Sequence, residues 1–497
     1  MRLRALASAA GIALDDGIEA NVTGFAIDHR KIAPGTVFGA FRGARFNAED
    51  FVPDAVEAGA VAVVTRPEVA VSGVAHIASA EPRRDFAQLA AQFFTPVPDT
   101  IVAVTGTNGK TSCVEMTRQI WRMCGERAAS IGTLGVTTPD ESVATGLTTP
   151  DIVTFLSNMS GLAREGVSHV AYEASSHGLS QFRNEGVAVS AAAFTNFSRD
   201  HLDYHADMDE YFAAKMRLFT EVVDAGAAAV IWDDGTDCNW TKQAKRIAAE
   251  RGLKVLSVGK GGDFIRMTAR TATQLGQTLE IEHVGNTRSI KLPLIGAYQA
   301  ANALVSAALA LATGSDASQV FDAIGRLQPV RGRLERAVIT AQGAPVYVDY
   351  AHTPDALEAA IAALEPHVAR EDAGRLITVF GAGGDRDKGK RAAMGKAATR
   401  GSDIVIVTDD NPRGEDPASI RAEIMSGTGD WGDAIEVGDR RAAIAQAIGM
   451  SGPKDIILIA GKGHEQGQIV GAGDSMKVLL FDDVTVAREC AAMQGAI

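Results

Sequence analysis

The segment Thr105-Gly106-Thr107-Asn108-Gly109-Lys110-Thr111 carries the residue types that hold a nucleotide phosphate. An apolar run, Ile101-Val102-Ala103-Val104, precedes it, and a helical pattern runs from Thr111 to about Gly125. A strand, a glycine turn and a helix N-terminus in that order aim backbone N–H groups and the positive end of the helix dipole at an anion. Lys110 adds a point charge, and the Thr111 hydroxyl can ligate Mg2+. Gly106, Thr107, Asn108, Gly109 and Ser112 complete the predicted cradle. The spacing departs from the ordinary G-x-x-x-x-G-K-[ST] loop, which requires glycine at 104, where Val104 stands.

Two later segments end apolar strands in polar groups. Tyr172-Glu173-Ala174-Ser175-Ser176-His177 is the first, and Asn196-Phe197-Ser198-Arg199-Asp200-His201-Leu202-Asp203-Tyr204-His205 the second. Phosphoryl transfer from ATP needs Mg2+, which prefers oxygen ligands; Glu173 and Thr111 suit it, and His201 is a less usual ligand. Lys215 follows Tyr211 by four residues and Phe212 by three, and precedes Phe219 by four, so it projects along an apolar helical stripe. Burial there would leave a neutral, nucleophilic amine able to capture CO2 as a carbamate, an oxygen ligand for Mg2+. A lysine that snorkels to solvent is the competing expectation.

These groups need strands and helices to hold them. Apolar strands are expected at Val37-Ala40 and Ala60-Val64, around a helix-like Phe51-Ala58. Further strands are expected at Ile101-Val104, His169-Glu173, Ala191-Phe194 and Ala228-Ile231, then at Val346-Val348, Leu376-Phe380, Ile404-Val407 and Ile456-Ile459. Alternation with helices predicts an α/β protein with mostly parallel sheets, whose ligands collect at the carboxyl ends of the strands. Phe94-Thr95-Pro96-Val97-Pro98-Asp99 reads as a linker, and a second break falls at Gln328–Arg333. A chain of 497 residues is long enough for about three domains.

A net charge of −13 argues against nucleic acid or anionic membrane as a partner. Anionic substrates must then be met by local clusters of cations. The four cysteines are scattered, without metal-ligand spacing, which suits a reducing compartment. Arg2 and Arg4 before Ala5–Leu14 only faintly mimic a signal peptide, and an opening helix is expected instead. The chain is expected to be a cytoplasmic monomer acting on small molecules, with no membrane insertion.

The compact T-G-T-N-G-K-T form resembles the Mur ligases and folylpolyglutamate synthetases, which make amide bonds with ATP. The Mur ligases also share E-x-S-S-H, N-x-x-x-D-H-L-D-x-H and a following lysine that is carbamylated, here Glu173–His177, Asn196–His205 and Lys215. The resemblance runs through the whole chain and implies three domains: 1–96 for UDP, 97–329 as a P-loop ATPase-like parallel sheet, and 330–497 as a Rossmann-like amino-acid domain. It implies ATP, Mg2+ and a CO2-derived carbamate on Lys215 as cofactors. It makes Lys110, Glu173, His201 and Lys215 catalytic, and Thr111, Glu173, His201 and Lys215 metal ligands. Gly296-Ala297-Tyr298-Gln299-Ala300-Ala301-Asn302 resembles the adenine-contacting turn, with Asn302 as the contact and Gln299 where asparagine is usual. Val330-Arg331-Gly332-Arg333 and Asp349-Tyr350-Ala351-His352-Thr353-Pro354 resemble interdomain and ribose-side motifs, which assigns Arg333, Asp349 and His352 to ATP.

Thr148, Thr149, Ser175, Gln181 and Arg183 match positions that hold the UDP-muramoyl substrate in the family members that add the third residue. Arg183 offers a fork for carboxylate or phosphate. The family's D-S-R-x-x-x-P-G-x-x-F-x-A appears as Asp28–Ala40 with His29 for serine, and its D-G-H-x-F becomes Asn47-Ala48-Glu49-Asp50-Phe51. Ile27, His29 and the turn Ala44-Arg45-Phe46 are the expected uridine contacts. Asp410-Asn411-Pro412-Arg413 resembles the signature of the members that add meso-diaminopimelate, which lysine-adding members vary. Arg386 and Arg413 then clamp a carboxylate, Glu465 accepts the far ammonium, and Asp410, Asn411, Pro412 and Gly461 line the site. The resemblance therefore implies ATP-dependent addition of meso-diaminopimelate to UDP-N-acetylmuramoyl-L-alanyl-D-glutamate, with L-lysine as the alternative amino acid. A nucleotide-switch GTPase would need an N-K-x-D guanine reader, which the sequence lacks.

Overall fold

A computed structural model describes residues 1–14, 19–43, 46–143, 146–202, 204–273, 275–429 and 433–495. Ala44 and Arg45 of the expected uridine turn, and Asp203 of the His-rich turn, lie outside the described residues. The chain forms two compact units, Met1–Phe264 with Val305–Val320, and Ile265–Leu304 with Phe321–Ile497.

In the first unit, β1 (Gly24–Ala26), β2 (Thr36–Gly39), β3 (Ala60–Thr65) and β4 (Ala75–Ala78) form a parallel sheet in chain order. The helix Val52–Glu57 lies in the β2–β3 crossover that parallel neighbours require, and the helix Pro82–Phe93 follows β4. The opening helix is Leu3–Ala9, shorter than the apolar run suggests.

The larger sheet of this unit contains β5 (Thr100–Thr105), β6 (Ala128–Gly132), β7 (Gly135–Thr137), β8 (Ser142–Val143), β9 (His169–Glu173), β10 (Val189–Phe194), β11 (Val223–Trp232) and β12 (Lys254–Gly259). Their spatial order is β12-β11-β10-β5-β9-β6-β7-β8. All pairs are parallel except the β6–β7–β8 edge, which is antiparallel. Ile101, Val102, Ala103 and Val104 are fully buried, as a strand covered on both faces must be. The chain runs from β5 to β6 and β9 on one side, then to β10 on the other. The carboxyl end of β5 is thus a topological switch point, where open α/β sheets form a crevice.

The second unit opens with an antiparallel sheet of β13 (Ile265–Thr273), β14 (Gly276–His283) and β15 (Asn286–Leu292). Its other main sheet joins β16 (Glu335–Ile339), β17 (Pro345–Asp349), β18 (Leu376–Phe380), β19 (Ile404–Val407), β20 (Asp433–Glu436) and β21 (Ile456–Ala460) in the order β16-β17-β21-β18-β19-β20. Only β16 is antiparallel to its neighbour. A hairpin of β22 (Gly467–Val470) and β23 (Lys477–Leu480) follows. The strands expected from the sequence are all present. The sequence does not mark β13–β15, which are polar and alternating and lack the apolar runs of buried strands, nor β6 and β12, whose buried runs are interrupted by small or polar residues.

One buried ion pair ties the second unit's helices to β21. The Arg440 Nε and Nη2 atoms donate to the two carboxylate oxygens of Asp483 at 2.8 and 2.7 Å, and Nη2 also reaches the Ala460 carbonyl at 2.9 Å. Both side chains are fully buried. Asp483→Ala should strand the guanidinium and lower the unfolding free energy by about 3–5 kcal/mol. Arg440→Met combined with Asp483→Leu should cost less than Asp483→Ala alone, which denaturant melts followed by circular dichroism will check.

Candidate active site

The loop between β5 and the helix Lys110–Met123 forms the cradle that its glycines imply. Gly106 has φ +144°, and a Cβ there would fall 2.0 Å from Thr195 Oγ1, so only glycine fits. The loop is stitched to the turn after β10. Asn108 N–H donates to Asn196 Oδ1 at 2.9 Å, Asn196 Nδ2 returns a bond to the Asn108 carbonyl at 3.1 Å, and Thr107 N–H donates to the Asn196 carbonyl at 2.9 Å. Thr111 and Ser112 are buried in the first turn of the helix.

Two lysines converge on this loop. Lys110 Nζ donates to the Gly106 and Thr107 carbonyls at 3.0 and 2.8 Å. Lys215, on the helix Met208–Arg217, donates to the same Gly106 carbonyl at 2.8 Å. Lys215 is 1% exposed, so it does not snorkel. Burial, reinforced by the charge of Lys110 and only partly opposed by Asp200, holds its amine well below the usual lysine range.

Glu173 ends β9 beside this loop and is buried. Its Oε1 accepts the Thr133 N–H at 2.7 Å, and the Thr133 hydroxyl reaches Thr148 Oγ1 at 3.1 Å. Thr149 Oγ1 donates to the Glu173 carbonyl at 2.8 Å and lies 2.9 Å from Ser175 Oγ. Arg183 donates to the Thr149 carbonyl at 3.0 Å and, through Nε and Nη2, to Gln181 Oε1 at 3.1 and 2.7 Å. The expected muramoyl-side residues Thr148, Thr149, Ser175, Gln181 and Arg183 are therefore one connected network, joined to Glu173.

Thr133 belongs to this network although nothing in its local sequence marks it. His177, Tyr204, His205 and Tyr211 were also not singled out. The His177 ring lies 3.9 Å from that of Tyr204 and 5.1 Å from that of His201, and Gln181 Nε2 donates to the Tyr204 hydroxyl at 3.1 Å. Tyr211 donates to Thr107 Oγ1 at 3.2 Å, which links this ring cluster to the phosphate loop. His201 has φ +51°, an uncommon backbone state beside Asp200. Among the described residues, no group of three or more His, Cys, Asp or Glu side chains is placed to share a metal ion. Mg2+ needs no such group, since it is often held by one or two carboxylates with water and substrate phosphates, so Glu173 and Thr111 fit it.

On the expected uridine side, His29 stacks on Phe51 with ring centroids 4.2 Å apart, and Phe46 stacks on Phe51 at 4.9 Å. Phe46 is 55% exposed, so the stack ends in an open aromatic face. Ile27 packs against the core behind it.

In the second unit, the expected ATP-side residues also connect. Asn302 donates to Gln299 Oε1 at 3.1 Å, and Gln299 donates to the Arg333 carbonyl at 2.7 Å. Asp349 accepts from the Leu334 and Ala351 N–H groups at 2.8 and 2.9 Å; its burial raises its pKa, and the nearby Arg333 opposes that rise. The Arg333 guanidinium lies 4.8 Å from the Tyr350 ring centre, and His352 Nδ1 lies 2.8 Å from the Tyr350 carbonyl. His464 packs on Tyr350, and burial together with Arg333 and Arg331 pushes its imidazole down to about 4.

The turns after β19 and β21 build a second cluster of polar side chains. Asn411 Nδ2 donates to Glu465 Oε2 at 2.9 Å. Arg413, with φ +51°, donates from Nη1 to the Gly384 carbonyl at 2.9 Å and from its backbone N–H to the Ile469 carbonyl at 3.0 Å. Gly461 has φ +115°, and a Cβ there would meet Asp410 Oδ2 at 2.6 Å. Arg386 is exposed on the adjoining turn after β18. Pro412 lies between Asn411 and Arg413, and Glu415 with Asp385 braces the two turns through bonds of 2.6 and 2.9 Å to Asp385 N–H and Gly414 N–H.

Known proteins share this organisation. Residues 104–310 match the Mur ligase middle domain, and residues 332–463 match the Mur ligase glutamate ligase domain. A UDP-N-acetylmuramoyl-L-alanyl-D-glutamate–2,6-diaminopimelate ligase of Zymomonas mobilis subsp. mobilis is 56% identical over 468 residues, 94% of each chain. A ligase of the same name from Bradyrhizobium diazoefficiens is 50% identical over 466 residues, 93% of each chain. A solved structure of a ligase of that name superposes with a TM-score of 0.72 at 31% identity, over 95% of each chain. The chain therefore belongs to the Mur ligase family, the ATP-dependent ligases that form amide bonds.

Proposed function

We propose that the protein adds meso-2,6-diaminopimelate to the side-chain carboxylate of the glutamyl residue in UDP-N-acetylmuramoyl-L-alanyl-D-glutamate, a step of peptidoglycan precursor synthesis. The observation that carries this reading is the cluster in which Asn411 Nδ2 donates to Glu465 Oε2 at 2.9 Å and the Arg413 guanidinium lies 3.5 Å from the Asn411 carbonyl. A guanidinium and a carboxylate in one pocket suit an amino-acid end that is both anionic and cationic. The far end of L-lysine is only cationic and would leave Arg413 without a carboxylate. The names of the relatives favour the same choice. On this reading, residues 1–96 hold the UDP moiety, 97–329 carry the ATP chemistry and 330–497 select the amino acid. The enzyme works as a cytoplasmic monomer.

A glutamyl carboxylate oxygen attacks the γ-phosphorus of ATP, and ADP leaves. The diaminopimelate amine then attacks the acyl phosphate, losing a proton as inorganic phosphate departs. Lys110 and the N-terminal N–H groups of its helix stabilise the charge spread over the transferring phosphoryl oxygens. Arg183, Thr148, Thr149, Ser175 and Gln181 hold the muramoyl dipeptide, while His29, Ile27 and Phe46 face its base. Asn302, Arg333, Asp349 and His352 serve the ATP nucleoside. Domain closure excludes water that would hydrolyse the acyl phosphate. Thr111, Glu173, His201 and a carbamylated Lys215 would hold Mg2+, which when bound neutralises phosphate oxygens. The carbamate is supported by the buried, neutral-leaning amine of Lys215 and its approach to the carbonyl that Lys110 also uses.

Phosphate release in the presence of the muramoyl dipeptide should depend on meso-diaminopimelate and not on L-lysine; turnover with L-lysine alone would overturn the assignment. Lys110→Ala should lower kcat by roughly a hundredfold or more while binding of the muramoyl dipeptide, read by equilibrium dialysis, barely changes. Lys215→Ala should abolish ligation, and added short carboxylates should restore part of it. Full activity in that variant would refute the carbamate.

A charge-assisted fork truncated on one side costs on the order of 2–5 kcal/mol. Arg413→Ala should therefore raise the KM for diaminopimelate by about thirtyfold or more, with the KM for ATP unmoved. Arg413→Lys should rescue poorly, because an ammonium lacks the planar fork. An unchanged diaminopimelate KM in a variant with parental thermal melting would dismiss the clamp.

A further inference from the structure

Lys462 is fully buried beneath the Asn411–Glu465 pocket, where a lysine is rarely found without compensation. Its ammonium donates to Asn411 Oδ1 at 2.9 Å and to Glu465 Oε2 at 3.4 Å, and lies 3.8 Å from Asp410 Oδ1. Among the described ion pairs, Lys462 is the cation within 4 Å of both Asp410 and Glu465, while Arg440, paired with Asp483, acts on both from further away and Lys390 on Asp410. Of the two acids Glu465 is the more exposed, 34% against 8% for the Asp410 side chain.

The same ammonium fixes an orientation. Asn411 Oδ1 accepts from Lys462 Nζ and from the Ile469 N–H, each at 2.9 Å, which uses both lone pairs of that oxygen. A flipped amide would set its NH2 group against two donors, so Nδ2 must point at Glu465. Ile469 in turn accepts the Arg413 backbone N–H on its carbonyl, which carries the constraint to the arginine.

We propose that Lys462 is a positioning residue for the amino-acid pocket: it locks the Asn411 amide and cancels one of two carboxylates, leaving one charge for the distal ammonium of the substrate. This rests on the diaminopimelate reading above. The pocket is then charge-matched to a zwitterionic end, Glu465 to the ammonium and Arg413 to the carboxylate. A lysine that merely filled space would affect folding alone.

The test is steady-state kinetics of the full-length enzyme, with Lys462→Met close in length and neutral. The KM for meso-diaminopimelate should rise by about tenfold or more while kcat at saturation and the KM values for ATP and the muramoyl dipeptide change by less than about twofold. Asn411→Leu, which removes the amide that Lys462 orients, should also raise the diaminopimelate KM, and Lys462→Met with Asn411→Leu should be no worse than the poorer single variant, because both remove one linked element. If Lys462→Met does not fold, Lys462→Gln, which is neutral but keeps a donor for Asn411 Oδ1, must still show a selective rise in the diaminopimelate KM. An unchanged diaminopimelate KM, a uniform fall in kcat, or additive effects in the double variant would overturn the proposal. A parent enzyme with no diaminopimelate-dependent turnover would overturn the functional reading as well, so the two failures are told apart.

Discussion

Lys110 and Lys215 reach the same carbonyl oxygen, that of Gly106, from two different helices. Two amines so close, one of them nearly inaccessible to water, repel each other if both are charged. The arrangement demands anions: phosphate oxygens for Lys110, and on the proposed reading a carbamate that reverses the sign of Lys215. The glycine loop, the bonds from Asn196 and the hydroxyl of Tyr211 all hold the carbonyl where both amines can find it.

A parallel sheet makes such crowding possible. Strand β5 lies between β9 and β10, so its glycine loop, Glu173 and the Asn196 turn all emerge at the same sheet edge. The strands are mainly apolar rods, with polar groups such as Glu173 and Asp349 at their carboxyl ends. Their function is to bring short polar turns from distant parts of the chain to within hydrogen-bonding distance of one another. The second unit repeats the principle, with β19 and β21 presenting the Asn411 and Lys462 turns that form the proposed amino-acid site.

Electrostatic balance separates the two sites. Around the phosphate loop the protein crowds two amines, Lys110 and a Lys215 whose burial disfavours its charge, near the carboxylates Glu173 and Asp200. Around Asn411 it supplies nearly balanced charge, with Lys462 against Asp410 and Glu465 and with Arg440 against Asp483. A net charge of −13 over the whole chain hides both local arrangements.

The sequence by itself determined the family. T-G-T-N-G-K-T is legible because a glycine loop tolerates few substitutes, and D-N-P-R because a charged turn after an apolar strand has few structural reasons to exist. The long buried strands were legible too, since a strand covered on both faces must be apolar throughout. Tertiary structure decided what depends on partners distant in the chain. Thr133 holds Glu173 from forty residues away, which no local pattern records. Whether Lys215 snorkels or is buried turned on what packs around its helix. Lys462 lay within a noted segment, yet its role emerges only where Asn411, Asp410 and Glu465 close around it. A spacing rule reports which face of an element a residue occupies, and only the packed fold reports what charge awaits it there.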